Sequence, residues 1–182
     1  VARHRRQVAR EAKIGQLDDE PILCRALAAL FEERGFHVTT VATAREALDQ
    51  IERTPADVVL LDLKLPDSSG LEVLSELKAK FPTLRVIVIS ALADSDTIQQ
   101  VFQRGASDYL AKPFDFGRCF YTAMGVEAVD LAEARPDPEA LARVPAATAR
   151  KGRLLPLRMV DGALQVAMAD PLDLQQIETL RT

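Results

Sequence analysis

Short apolar runs alternate with segments of helical periodicity along residues 13–124. Residues 58–61 and 86–89 are near-continuous apolar runs, which is typical of parallel strands buried on both faces. The same pattern of apolar runs predicts three more strands, over residues 14–17, 36–41 and 108–111.

Helical segments are predicted between these runs because apolar residues recur there every three or four positions. Pro21 suits the first turn of a helix, Thr43 can cap the start of the next helix, and Gly35 and Gly105 suit helix ends. Five helices are predicted, from Pro21 to before Gly35, around residues 44–51, and over about 69–80, 94–104 and 116–124. Alternating strands and helices predict an α/β fold, a doubly wound five-stranded parallel sheet of the flavodoxin-like type.

The pattern changes from Gly125 onward. Residues 126–131 look extended, residues 135–138 form a rigid break with two prolines, and a short helix is predicted over 146–151. Two apolar runs then flank Asp161 and Gly162, and an Asp-Gly pair between apolar runs is a strong hairpin signal. A last helix is predicted from Asp170 or Asp173 to Thr182. This part is predicted to be a small α+β domain.

We therefore predict three parts: an N-terminal extension (1–12), a first domain (13–124) and a second domain (125–182) that could be cut short at its last helix. The extension is rich in arginine, which would suit a nucleic-acid arm, but a solvated extension fits better with the acidic remainder of the chain. The net charge of −4 gives no general attraction to nucleic acid or to anionic membranes.

The composition indicates the class of protein and the compartment in which it works. The 182 residues are 48% hydrophobic and 27% charged, which is ordinary for a globular protein. No apolar stretch is long enough to span a bilayer and the N-terminus lacks an apolar signal core, so we predict a cytoplasmic bacterial protein without membrane insertion. Cys24 and Cys119 are predicted to be reduced core residues.

Polar groups follow four of the predicted strands: Asp18 with Asp19, Asp62, Ser90 and Lys112. In open parallel α/β sheets, ligands collect at the carboxyl ends of the strands, so these side chains are predicted to converge on one pocket. Such a pocket has the groups needed to hold a magnesium ion and a phosphoryl group.

Each group has a predicted role in that pocket. Asp18, Asp19 and Asp62, with the backbone carbonyl of Lys64, supply hard oxygen ligands for Mg²⁺. Asp62 follows the most buried strand and suits a nucleophile that forms an aspartyl phosphate. The ammonium of Lys112 would pair with the phosphoryl oxygens, and the hydroxyl of Ser90 would donate a hydrogen bond to the same group.

Residues of about 12–124 resemble the receiver domain of two-component response regulators. The resemblance rests on the motifs Asp18-Asp19-Glu20-Pro21, residues 58–66 with Gly70, residues 88–91, and residues 105–114, all in the family's order. It implies that Asp62 is the phosphoacceptor, that Asp18 and Asp19 are metal ligands, and that a sensor histidine kinase is the partner. It also implies that Ser90 and Tyr109 form a switch pair, and that Lys112 binds phosphate before a cis peptide bond to Pro113.

The second part resembles the N-terminal domain of type II secretion and type IV pilus assembly ATPases. Residues 125–131 and 154–174 carry this resemblance. It implies a docking role toward a downstream protein of a secretion or pilus system. The chain has no phosphate-cradling Gly-rich loop followed by Lys-Ser/Thr, which argues against an ATPase, and the charge balance of this part argues against a DNA reader. The remaining possibility is that this second part serves only as a surface for packing or for homodimer formation.

Two other functions are compatible with parts of the pattern. A magnesium-dependent aspartyl phosphohydrolase of the dehalogenase type also uses a strand-end Asp. Those enzymes have a second acidic residue two positions after the nucleophile, and in this chain that position is occupied by Lys64. A pseudo-receiver adaptor would act without phosphorylation, and the complete set of acids with Ser90 and Lys112 argues against it. The preferred hypothesis is a phosphorylation-controlled switch that is itself not an enzyme, apart from self-dephosphorylation.

Overall fold

The computed structural model describes residues 13–126, 129–170, 177, 178 and 180. The chain divides into two compact units, with the boundary between Gly125 and Val126. We call them the first unit, which ends at Gly125, and the second unit, which begins at Val126. In the described part of the chain, no helix combines the length and the apolar character needed to cross a membrane.

The first unit alternates strands and helices, as the pattern predicts. Its strands are β1 (Lys13–Leu17), β2 (His37–Val41), β3 (Val58–Leu61), β4 (Arg85–Ser90) and β5 (Asp108–Ala111). Its helices are α1 (Pro21–Glu32), α2 (Ala44–Arg53), α3 (Gly70–Lys80), α4 (Ser95–Gln103) and α5 (Phe116–Ala123).

The five strands form one parallel sheet in the order β2-β1-β3-β4-β5. One apolar core lies between the sheet and α2, α3 and α4, and includes Ile51, Leu74 and Val101. A second core lies between the other face and helices α1 and α5, and includes Phe31 and Phe120. The prediction of a doubly wound parallel sheet is therefore confirmed.

Local side-chain bonds explain where most of the helices begin. The Thr43 hydroxyl accepts a hydrogen bond from the Glu46 N–H at 3.3 Å, so the predicted cap of α2 is present. The carboxylates of Asp94 and Asp115 accept equivalent bonds at the starts of α4 and α5. Helices α1 and α3 differ, because their N-cap residues, Glu20 and Ser69, make no side-chain capping bond.

Strand β1 contains Gly15 and Gln16 where a buried parallel strand normally carries large apolar residues. It nevertheless pairs in register on both sides, with Ile14 opposite Val38 and Val58. Gln16 is 1% exposed, and its amide has no hydrogen-bond partner in the part of the chain that the structure describes. An unpaired buried amide destabilises a fold, so β1 is held by its neighbours rather than by its own sequence.

Over its continuous described stretch, residues 129–170, the second unit forms the short helices α6 (Pro138–Ala142) and α7 (Ala146–Lys151) and an antiparallel hairpin. The hairpin pairs β6 (Leu154–Val160) with β7 (Ala163–Met168). Both turn residues have positive φ, 49° at Asp161 and 76° at Gly162, so the predicted Asp-Gly turn is confirmed.

The sequence pattern misses two features of this region. It predicts a break over residues 135–138 and no helix α6. Leu131 was expected in an extended segment, but it lies in a turn whose N–H groups, from Glu133 and Ala134, bond the carbonyl of Asp130. Most of the predicted last helix lies outside the described residues.

Candidate functional site

Four neighbouring strands bring the candidate residues to one edge of the sheet. Asp18 follows β1, Asp62 follows β3, Ser90 ends β4 and Lys112 follows β5. Since β1, β3, β4 and β5 are consecutive in the sheet, their carboxyl ends lie side by side. The connecting helices cover both faces, which leaves this edge for ligands.

The Lys112 ammonium is the centre of the site. Its Nζ lies 2.6 Å from Asp62 Oδ2, 2.7 Å from Glu20 Oε1 and 2.9 Å from Asp18 Oδ2. The side chain of Lys112 is 13% exposed, and those of Asp18 and Asp62 are 5% exposed. Lys112, Asp18 and Asp62 are therefore largely shielded from water, and charge interactions between shielded groups are strong.

Backbone groups hold the two buried carboxylates in place. Asp62 Oδ1 accepts a hydrogen bond from the Lys64 N–H at 3.0 Å, and the Asp62 N–H donates to the Leu17 carbonyl at 2.8 Å. Asp18 Oδ1 accepts from the Glu20 N–H at 2.8 Å. Each carboxylate therefore uses one oxygen for the backbone and the other for Lys112.

The pKa shifts follow from burial and from these contacts. Burial raises the pKa of the Asp18 carboxyl, and the bonds from Lys112 and the Glu20 N–H offset part of that rise. Burial alone would lower the pKa of Lys112, but hydrogen bonds to Asp62, Glu20 and Asp18 outweigh it and raise that pKa above its ordinary value. Lys112 is therefore a permanent cation at neutral pH.

The carboxylate oxygens of Asp18, Glu20 and Asp62 all lie within 4.8 Å of one another. Several hard oxygen donors at this spacing fit the ligand preference of Mg²⁺. Asp19 is exposed and does not belong to this group among the described residues. Consecutive side chains leaving a strand point in opposite directions, so Asp18 turns inward while Asp19 faces solvent.

Glu20 is the site residue that sequence reasoning overlooked. It was noted only as part of the Asp18-Asp19-Glu20-Pro21 motif. Its position before Pro21, where a helix start favours Ser, Thr, Asp or Asn, was the available signal that its side chain has another task.

The predicted switch pair lies beside this cluster. Ser90 is 1% exposed, and its hydroxyl oxygen accepts a hydrogen bond from the Leu92 N–H at 3.2 Å. The Tyr109 hydroxyl donates to the Leu92 carbonyl and lies 3.3 Å from the Ser90 carbonyl. Burial raises the pKa of Tyr109, so its hydroxyl stays protonated and remains a donor. The side chains of Ser90 and Tyr109 therefore both form hydrogen bonds with the backbone of residues 90–92.

The site is open to solvent through a cleft beside Lys112. The Lys112–Pro113 peptide bond is cis. An open cleft of about 410 Å³ borders Lys112, and it is lined by Glu20, Leu23, Ala91, Lys112, Pro113, Phe114 and Phe116. Lys64 and Leu92 are exposed side chains at the edge of the site.

Two families match consecutive parts of the chain. Residues 16–122 match the response regulator receiver domain family. Residues 124–182 match the MshEN domain, the N-terminal part of type II secretion and type IV pilus ATPases. Both resemblances stated from the sequence are thereby confirmed.

Individual relatives agree with the first match. The transcriptional regulatory protein KdpE of Mycobacterium tuberculosis is 46% identical over 98 residues, which cover 54% of this chain and 43% of that protein. Response regulator RR06 of Streptococcus pneumoniae is 40% identical over 97 residues, covering 53% and 44%. The chain thus spans less than half the length of these curated relatives. A CheY-like receiver domain structure from Methanospirillum hungatei superposes with a TM-score of 0.61 at 26% identity, over 63% of this chain and 91% of that one.

Proposed function

This chain belongs to the response regulator receiver domain family, and from that premise we propose that it accepts a phosphoryl group on Asp62. The observation that carries the proposal is the Asp62 carboxylate, held between the Lys112 ammonium at 2.6 Å and the Lys64 N–H at 3.0 Å. A carboxylate fixed in this way faces a cation that can neutralise the charge of an incoming phosphoryl group.

The proposed transfer conserves atoms and charge. A carboxylate oxygen of Asp62 attacks the phosphorus atom, and the new O–P bond forms as the bond to the donor breaks. The electron pair of that bond leaves with the donor, which is an imidazole for a phosphohistidine or acetate for acetyl phosphate. Self-dephosphorylation returns the carboxylate when water attacks the same phosphorus and releases inorganic phosphate.

Asp18 and Asp62, whose carboxylates lie together, would hold Mg²⁺ in this proposal, with Asp19 and the backbone carbonyl of Lys64 as further ligands. When bound, the ion supplies positive charge to the phosphoryl oxygens. Lys112 supplies a second positive charge from the end of β5, and Ser90 donates a hydrogen bond from its hydroxyl to a phosphoryl oxygen. The side chains of Asp18, Asp62, Ser90 and Lys112 come from the ends of neighbouring strands, so they lie close to one another before the phosphoryl group arrives.

Ser90 and Tyr109 would convert phosphorylation into a change of surface. The Ser90 hydroxyl oxygen is bonded to the Leu92 N–H and the Tyr109 hydroxyl to the Leu92 carbonyl. A phosphoryl group on Asp62 would draw the Ser90 hydroxyl toward it, and the 90–92 segment with the Tyr109 ring would follow. The result is a population shift between two packings around α4 and β5.

A sensor histidine kinase is the proposed phosphodonor, and the second unit is the proposed output. Its match to the MshEN domain supports a partner in a secretion or pilus system. In this proposal the second unit contacts that partner protein or a second copy of the chain.

The test is phosphorylation of the full chain by acetyl phosphate with Mg²⁺, followed by intact-protein mass spectrometry. We expect one added phosphoryl group in the wild type and none in Asp62→Asn. Asp49→Asn, an exposed carboxylate on α2, is the matched control and should be modified like the wild type. An unmodified wild-type chain would favour the pseudo-receiver, and turnover of phosphate esters would favour the hydrolase.

Lys64 and Leu92 are expected to prolong the life of the phosphoryl group. Both are bulky, exposed side chains at the edge of the site, so they obstruct the water that attacks the phosphorus. The double variant Lys64→Asn, Leu92→Ala should lose the group roughly tenfold faster, which corresponds to about 1.4 kcal/mol in the barrier. The decay is followed by mass spectrometry after the donor is removed, and equal lifetimes would refute this role.

A further inference from the structure

Glu20 occupies a helix position that its side chain does not serve. It is the N-cap of α1, yet it makes no side-chain capping bond. Its carboxylate instead reaches the Lys112 ammonium at 2.7 Å. A residue that breaks a local preference often serves a site, so the contact with Lys112 calls for a functional account.

The hydrogen-bond capacity of Lys112 is fully used. An ammonium has three N–H donors, and three carboxylates lie within 2.9 Å of Nζ. A phosphoryl group needs at least one of these donors for its own oxygens. One of the present acceptors must therefore release Lys112 when the phosphodonor binds.

Exposure indicates which acceptor leaves. The carboxylate of Asp18 is 5% exposed and also accepts the Glu20 N–H, so its release would leave a buried charge without its cation. Asp62 is the acceptor of the phosphoryl group itself. The side chain of Glu20 is 59% exposed, so water can hydrate its carboxylate once the contact is broken. Glu20 is the acceptor that exchanges at the lowest free energy.

We propose that Glu20 is an exchangeable counter-ion that competes with the phosphodonor for Lys112. Glu20 is thus a positioning residue, which acts through Lys112 and sets how much donor is needed to phosphorylate the chain. The inference rests on the proposed function. It adds a determinant of donor affinity within the same site.

The experiment measures the phosphorylation rate against acetyl phosphate concentration at saturating Mg²⁺. Glu20→Gln keeps the side-chain length but removes the charge that competes for Lys112. We expect the half-saturating donor concentration to fall about threefold to tenfold, with the maximal rate little changed. A merely structural role would not lower one parameter and spare the other.

Two control variants separate contact from general charge. Glu20→Asp keeps the charge but is one methylene shorter, and Asp at an N-cap favours bonds to the first N–H groups of α1, so its contact with Lys112 is expected to weaken. Under the proposal it behaves like Glu20→Gln. Glu33→Gln, an exposed glutamate at the other end of α1, should match the wild type. If only loss of charge mattered, Glu20→Asp would match the wild type, and the proposal would be overturned.

An unchanged or higher half-saturating concentration in Glu20→Gln also overturns the inference, since Glu20 would then be neutral or helpful to the donor. This failure is distinct from failure of the proposed function. In the first case the wild type is phosphorylated and Asp62→Asn is not. In the second case the wild type itself is unmodified, and both proposals fall together.

Discussion

Gly70→Ala is expected to destabilise the first unit by about 3 kcal/mol and to slow phosphorylation of Asp62. A Cβ at position 70 would lie 2.4 Å from the Asp62 carbonyl oxygen and 2.4 Å from the Leu63 Cα. Real Cβ atoms do not approach backbone so closely, and backbone cannot rotate away as a side chain can. The segment that carries the phosphoacceptor must therefore move.

The close approach at Gly70 belongs to a tight loop. The Gly70 N–H donates to the Leu63 carbonyl at 2.9 Å, and Lys64 forms an isolated bridge with Ser69. Displacing the backbone at Leu63 also displaces the Lys64 N–H, which holds Asp62 Oδ1. Loss of stability and loss of phosphorylation rate therefore have one cause.

Gly35→Ala is the matched control for Gly70→Ala. Gly35 has φ of +84° and no atom within 4 Å of a built Cβ, so alanine there meets backbone strain of about 1 kcal/mol without a clash. Urea unfolding followed by tyrosine fluorescence suits both variants. The chain has two tyrosines and no tryptophan, and Tyr109 and Tyr121 both lie in the first unit. Equal losses in the two variants would contradict the steric argument.

The architecture of the first unit was predictable because each element satisfies its environment locally. Residues 58–61 and 86–89 are apolar on both faces, and a parallel strand covered by helices on both sides needs that pattern. Capping residues such as Thr43 mark helix starts within the sequence itself. Gln16 is the exception, since a buried amide without a partner leaves no signal that distinguishes it from an exposed one.

In the second unit, the hairpin and helix α7 were predictable, whereas helix α6 was not. Asp161 and Gly162 both adopt a positive φ, which these residue types tolerate well, so two adjacent residues are enough to predict the turn. Helix α6 has only five residues, Pro138–Ala142, which is too few for a periodic pattern. The prolines at 136 and 138 indicated a break, although Pro138 starts this helix, where a proline is well tolerated.

The site was predictable as far as it depends on strand ends. Asp18, Asp62 and Lys112 follow strands that lie side by side, and the structure brings them together. The contact between Glu20 and Lys112 joins residues that are 92 positions apart. The contact depends on how close the end of β5 lies to the start of α1, and no local sequence pattern encodes that distance.

Lys112→Met is expected to lower the free energy of unfolding of the first unit by about 3 kcal/mol at neutral pH and to weaken phosphorylation of Asp62 severely. The substitution keeps an unbranched apolar stem but removes the cation from two largely buried carboxylates. Removing one partner of a buried ion cluster leaves uncompensated charge, which destabilises far more than loss of a surface pair. This loss of stability depends on pH.

The direction of that dependence follows from Asp18. Burial already raises its pKa above the ordinary value of 3.8, and the Lys112 contact opposes the rise. Without Lys112 the pKa of Asp18 in the folded state rises further. Between the ordinary and the raised pKa the folded state binds more protons than the unfolded state, so stability falls as pH increases through this window. The deficit of Lys112→Met is therefore largest at neutral pH and shrinks as the pH is lowered toward the ordinary pKa of Asp18.

Wild type and Lys112→Met should accordingly be compared by urea unfolding at pH 7 and pH 5, with tyrosine fluorescence as the probe. Lys112 itself contributes no change between these pH values, because its ordinary pKa of 10.5 keeps it charged in the unfolded state and its contacts raise the pKa further in the folded state. Lys80→Met is the matched control, since Lys80 also pairs with two glutamates, Glu52 and Glu76, but on the exposed surface. It should change stability little at either pH. A deficit in Lys112→Met that is equal at pH 7 and pH 5 would mean that the carboxylates around Lys112 do not depend on its charge.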